Sequence, residues 1–166
     1  MIEVIEADSP GHIEAVRDLF VEYAESLGFS LCFQSFDREL AALPGRYARP
    51  RGRLLLALDS ATPAGCVGLR PHDDDACEMK RLYVRPAYRG SGLGRRLAQS
   101  VIEAARDMAY CRMVLDTLAT MTGAQALYRS LGFREIAPYY ENPIAGAAFM
   151  ELALRADDDR VLSARA

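Results

Sequence analysis

The chain has 166 residues, 51% of them apolar, a mean hydropathy of −0.04 and a formal net charge of −3. That is enough chain for one domain with an adequate core, and the acidic balance excludes a general nucleic-acid surface. No stretch has the length and continuity of a membrane span, and the opening Met-Ile-Glu-Val-Ile-Glu lacks the basic region and apolar run of a secretion signal. A cytoplasmic protein with no membrane or nucleic-acid partner is therefore expected.

Ile2, Val4 and their neighbours suggest an opening strand. Asp8 or Ser9 can cap the next helix, with Pro10 in its first turn, and Ile13, Val16, Leu19, Phe20, Tyr23 and Leu27 form its apolar stripe before Gly28 ends it. Phe29, Leu31, Phe33 and Phe36 are dense for a connection, and 36–43 reads as a short second helix before the Pro44-Gly45 turn. The ordinary reading of 29–50 is a helix pair covering a sheet. A functional reading adds that its aromatics and Tyr47 wall a substrate cleft. Residues 53–58 and 64–70 read as antiparallel strands around a turn at 59–63. The acidic triplet Asp73, Asp74 and Asp75 reads as a solvated turn, since nothing else resembles a calcium loop.

The most informative stretch is 78–97. Leu82, Tyr83 and Val84 favour a strand, and Pro86 restricts Arg85 to extended geometry and ends it. Gly90, Gly92 and Gly94 leave the backbone uncovered, and apolar positions 93, 97, 101, 104 and 108 then follow a helical period. The unpaired N–H groups of such a helix start can converge on one anion. Arg89, Arg95 and Arg96 stand beside them, Arg96 suiting a surface role better than a phosphate contact.

Residues 112–116 read as a strand. Thr120 or Thr122 can cap a helix carrying Ala124, Leu127, Tyr128 and Leu131, which Gly132 stops; Phe133 begins another extended piece. Residues 138–146 read as a loop and 147–154 as a last strand. One domain over 1–154 is expected, with 155–166 a loose tail. Cys32, Cys66, Cys77 and Cys111 have no C-x-x-C spacing and read as structural thiols. His12 and His72 have no ligand pattern around them, so no metal is expected.

The glycine spacing, Gly90-x-Gly92-x-Gly94, misses the G-x-G-x-x-G dinucleotide fingerprint by one position and lacks the G-x-x-x-x-G-K-[S/T] of a nucleotidase loop. Asp116 stands roughly where a ribose-binding acid could sit. Too little sequence follows the loop, however, for paired nucleotide halves.

Arg89-Gly90-Ser91-Gly92-Leu93-Gly94 resembles the R/Q-x-x-G-x-G/A pyrophosphate motif of the GCN5-related N-acetyltransferases. The preceding Lys-Arg-Leu-Tyr-Val-Arg-Pro and the run from Ala124 to Phe133 are similar to that family as well. The resemblance implies an α/β (α+β) fold: a mixed, mainly antiparallel sheet flanked by helices, with a central strand–glycine loop–helix unit. It implies acetyl-CoA as acyl donor, with no metal. Leu82, Tyr83 and Val84 would lie along the pantetheine arm. Arg89, Gly90, Ser91, Gly92, Leu93, Gly94 and Arg95 would cradle the pyrophosphate, mostly through backbone N–H groups. Tyr128 would stand at the CoA sulfur, where its phenol would orient that sulfur or give it a proton as the thiolate leaves. Met121 departs from the family, many of whose members have asparagine there.

An amine acceptor must arrive unprotonated, which for a lysine-like group costs about 4.6 kcal/mol at pH 7. Glu78 is the leading base candidate by resemblance and Asp116 the second; the ordinary reading of Glu78 is a surface-strand carboxylate paired with Lys80 or Arg112. Arg46, Tyr47, Tyr139, Tyr140 and Asn142 would form a polar-aromatic entrance if their two loops meet, and the arginine would suit a carboxylate. The expected acceptor is a small-molecule amine. A protein amine, a homodimer, a non-catalytic acyl-CoA sensor and a nicotinamide-dinucleotide enzyme stay open as alternatives.

Overall fold

Among the described residues seven strands form one sheet in the order β1-β2-β3-β4-β5-β7-β6: β1 (Ile2–Glu6), β2 (Arg53–Asp59), β3 (Thr62–Pro71), β4 (Ala76–Val84), β5 (Arg112–Thr117), β6 (Arg134–Ile136) and β7 (Ala148–Ala153). Every neighbouring pair is antiparallel except β4 and β5, the strands joined through the glycine loop and a crossover helix. This computed structural model describes residues 1–31 and 35–155, so Cys32, Phe33 and the expected tail from 156 lie outside the described residues.

Helix α1 (Pro10–Ser26) begins where foreseen: the Ser9 side chain accepts from the His12 N–H and Pro10 occupies the first turn. It ends just before Gly28, whose φ of +75° is the left-handed geometry that glycine supplies at a helix stop. Helix α2 (Phe36–Ala42) follows. Together these helices cover one sheet face through Val16, Leu19, Phe20, Phe36 and Leu43, packed on Leu54, Leu56, Cys66 and Tyr83. Tyr47 belongs to this core, only 2% exposed, and shows no more than an edge to a surface groove beside Arg46, Glu39 and Arg70. Its ring lies over Gly68, where an added Cβ would come within 2.6 Å of it.

Helices α3 (Leu93–Asp107) and α4 (Thr122–Ser130) serve the opposite face. The buried stripe of α3 is Leu93, Leu97, Ala98, Val101, Ile102 and Ala105, so 104 and 108 sit at its margin. Neither Thr120 nor Thr122 caps α4. Met121 takes that place, with no side-chain cap, and the Gln125 amide donates to the Leu118 carbonyl instead. The first hairpin turn is also tighter than foreseen, β3 starting at Thr62. Cys66 and Cys77 are buried, and burial pushes the Cys77 thiol up to about 12 and the Cys66 thiol higher, so both are packed sulfurs and not nucleophiles. Among the described residues no helix is long and apolar enough to cross a membrane.

Candidate active site

The site begins where a strand pair fails. β4 and β5 are in register at Ala76↔Arg112, Cys77↔Met113 and Glu78↔Val114, and there the pairing stops although both strands run on. Beyond Glu78 the β5-facing backbone of β4 has no strand partner, and buried peptide groups left so require another. The divergence coincides with a bulge. β3–β4 register slips between Cys66↔Tyr83 and Gly68↔Lys80, and Arg81 takes a φ of +59°.

Between the parted strands lies a cavity bounded by Met79, Leu82, Leu115, Thr117 and the Tyr128 side chain. It shares Tyr23, Leu82, Met121 and Ala124 with a groove that continues past Tyr83 and Val84 to Arg89. That groove ends at the glycine loop. Gly90 and Gly92 have φ of +79° and +84°, and a Cβ built on either meets nothing within 4 Å. The first intrahelical bond of α3 runs from Arg96 N–H to the Gly92 carbonyl. The N–H groups of Leu93, Gly94 and Arg95 therefore have no helical acceptor and face outward together. Arg89 donates to the Val84 carbonyl with its guanidinium over the Tyr83 ring, Ser91 donates to the Tyr88 carbonyl, and Arg95 reaches Ser130. Arg96 turns away to the Ile2 carbonyl.

Tyr128 packs against Phe133 and points from α4 into the cavity. Burial pushes its phenol well above the ordinary tyrosine value, and Tyr23 and Asp116 push it the same way. It is a protonated donor at neutral pH.

On the other side of the cavity is a nearly closed ionic network. Glu78 is buried and is not a surface carboxylate. One oxygen accepts from Arg70 Nε at 2.8 Å and the other from the Tyr139 hydroxyl at 2.6 Å, while Arg112 pairs with Asp73 and Glu151. Asp116 is held likewise by Lys80 Nζ at 3.0 Å and the Tyr140 hydroxyl at 2.6 Å. Glu39 of α2 pairs with the bulge residue Arg81. Asn142 supports Tyr140 from behind. Arg46, Tyr139 and Tyr140 do meet around one recess, joined by Arg70, which sequence reasoning missed because its relevance depends on facing Glu78 across β3–β4.

Burial raises the Glu78 carboxyl, but the Lys80 and Arg70 charges and the Tyr139 hydrogen bond outweigh it and hold the group below the usual carboxylate range. Asp116 follows the same balance, burial being overcome chiefly by Lys80 and Tyr140. Folded protein therefore binds fewer protons here than unfolded chain. The contribution to stability is complete above the unfolded pKa values near 4 and is lost as pH falls through the lower folded ones. For Glu78→Gln the loss of stability between pH 5 and pH 2 is expected to be shallower than in wild type; urea midpoints across that range check it.

Among the described residues no cluster of three His, Cys, Asp or Glu is placed to hold a metal. The dinucleotide alternative has no place in this architecture, where a single parallel pair replaces the doubly wound sheet it requires.

A family model described as the acetyltransferase (GNAT) family matches residues 13–133. An uncharacterised N-acetyltransferase of Schizosaccharomyces pombe is 42% identical over 147 residues, covering 87% of this chain and 90% of its own. Among solved structures, a GNAT-family acetyltransferase from Staphylococcus aureus superposes with a TM-score of 0.79 at 21% identity, over 93% of this chain and 100% of that one. An acetyltransferase from Salmonella typhimurium, solved with its cofactor acetyl-CoA, gives 0.71 at 22% identity over 93% and 94%. With the parted β4–β5 pair, the glycine loop opening α3 and a family match spanning most of the described residues, this chain belongs to the GNAT family of acetyltransferases.

Proposed function

We propose that the protein transfers an acetyl group from acetyl-CoA directly to a primary amine. The observation that carries this reading is the continuous groove from the Arg89–Arg95 loop, along Leu82, Tyr83 and Val84, to the Tyr128 side chain. Its parts match the chemistry of the donor. Unsatisfied N–H groups and arginines stand at one end for a pyrophosphate, an unpaired strand edge suits an amide-bearing arm, and a neutral phenol stands at the inner end for a sulfur. Acetyl-CoA, when bound, supplies the acetyl group as an activated thioester.

The chain's own residues do the rest. The β4 backbone beyond Glu78 offers N–H donors where negative charge develops on the carbonyl oxygen. Tyr128 donates its proton to the departing sulfur and regains one from solvent afterwards; its raised pKa keeps the phenol protonated beforehand. The acceptor nitrogen gains the acetyl group and gives up a proton to solvent. Glu78 acts in this reading as a positioning residue: a carboxylate with both oxygens bonded and its pKa held down is a weak base, but it fixes Arg70 and Tyr139. Glu78→Gln then lowers kcat/KM several-fold without changing the shape of its pH profile. Disappearance of the acid limb would instead make Glu78 the base.

Calorimetric titration of the folded protein with acetyl-CoA and CoA tests the donor, and thiol release across an amine panel tests transfer. Absence of saturable binding sinks the proposal, and binding without turnover on any amine leaves an acyl-CoA sensor. Gly92→Val adds a second handle. A β-branched residue is strained at φ +84° and holds the backbone away from an anion, so acetyl-CoA is expected to bind about tenfold more weakly. Unchanged affinity by calorimetry would remove the loop from the binding site.

A further inference from the structure

The recess on the far side of Lys80 has a charge imbalance that bears on the acceptor. It is lined by Arg46, Arg70, Lys80, Glu78, Tyr139 and Tyr140, with a volume of about 300 Å³, at the lower end of small-molecule sites. Lys80 also borders the central cavity that Tyr128 enters, so the two spaces adjoin.

The buried charges around the recess cancel in pairs: Arg70 with Glu78, Lys80 with Asp116, Arg81 with Glu39. Arg46 is the surplus. It is exposed, and among the described residues it donates to the Pro71 carbonyl and pairs with no carboxylate. Arg70, whose Nε is committed to Glu78, has no hydrogen bond on its two terminal nitrogens among the described residues, and one of these lies 3.7 Å from Glu39. A chain of net charge −3 thus presents a cationic rim at this recess.

Such a rim has two consequences. A simple alkylammonium gains nothing from it and is repelled, while a carboxylate matches the planar fork of a guanidinium. The surplus charge of Arg46 also makes an amine lodged in the recess easier to hold unprotonated, because a like charge disfavours the ammonium form.

We propose that the acceptor is a small amine carrying a carboxylate, of the amino-acid class, with Arg46 binding that carboxylate at the rim and the amine directed past Lys80 toward the central cavity. This rests on the acetyl-transfer reading for its chemistry but not for its binding step.

The test compares amino acids with the amines left when their carboxylate is removed: tyrosine with tyramine, phenylalanine with phenethylamine, alanine with ethylamine. Thiol release is followed for wild type, Arg46→Gln and Arg46→Lys. The carboxylate member of at least one pair is expected to be used at least tenfold better by kcat/KM. Arg46→Gln should lower that value about tenfold, through KM, while changing the decarboxylated partner less than twofold, and Arg46→Lys should restore part of it. Equal or better use of the decarboxylated amines, or an equal effect of Arg46→Gln on both members, overturns the proposal and leaves acetyl transfer standing. If no member turns over, the same compounds are titrated into CoA-saturated protein. Binding of a carboxylate member that is lost in Arg46→Gln supports the recess while removing the transfer reading, and absence of binding by every carboxylate member overturns it.

Discussion

Tyr128→Phe is expected to lower kcat about 100-fold while acetyl-CoA affinity changes less than twofold. The change deletes one oxygen from a ring that otherwise keeps its packing on Phe133. Aromatic bulk, and hence the shape of the groove, is conserved. What goes is the proton at the sulfur end, and positioned general acids contribute roughly 10² to 10⁴ in rate. The hydroxyl makes no hydrogen bond within the described residues, so its removal strands no buried partner and the fold is expected to be unaffected. Rapid-quench turnover with calorimetric affinity on the same preparation separates the two quantities. An unchanged kcat would make Tyr128 a packing residue of α4 and nothing more.

Glu39→Ala is the largest expected stability effect, about 3–5 kcal/mol, read from urea denaturation. Arg81 is held inside the protein, its side chain 2% exposed, with a bidentate contact to Glu39 and its guanidinium over the rings of Phe36 and Tyr23. Burial weakens the charged form of Arg81, but the Glu39 hydrogen bonds and charge more than compensate and hold it protonated. Removing Glu39 leaves that charge inside the protein without its carboxylate. The double variant Glu39→Leu/Arg81→Met should recover much of the loss, since an apolar pair of similar size needs no ionic partner. Additive losses in that cycle would show that the pair is not coupled. The pair joins α2 to the β4 bulge, so the single variant should also disturb the cavity mouth and weaken acetyl-CoA binding.

Much of the donor side was legible in the chain. Proline after a strand, glycines before an apolar helical period, and a tyrosine inside a second helix are local signals, and the described fold keeps each in the expected element. The acceptor side was only half legible. Arg46, Tyr139 and Tyr140 could be named as loop residues with suitable chemistry, but whether two loops so far apart in the chain share a recess is a tertiary fact. Glu78 has Arg70 as partner because β3 and β4 are in register there, and register is not written in either strand alone. The same holds for Glu39 and Arg81, 42 residues apart. Tyr47 shows a related limit: its ring is seated over Gly68 and only its edge borders the groove beside Arg46, and that burial depends on a glycine two strands away.

The bulge at Arg81 also makes β4 a strand that changes its parity. Cys77 and Met79, at odd positions, share the α3 side of the sheet, yet past the bulge that side belongs to Leu82 and Val84, while Tyr83 joins α1 and α2. Deleting one residue between Met79 and Leu82 would restore strict alternation and keep Leu82, Tyr83 and Val84 on their present sides, because Leu82 would then follow Met79 at a spacing of two. What would be lost is the bulge itself: the extra residue that bends β4 where its pairing with β5 stops, and with it the opening between the two strands. A single-residue gap at this point of an alignment is therefore a structural event of a different order from a gap in the turns at 60–61 or 72–75.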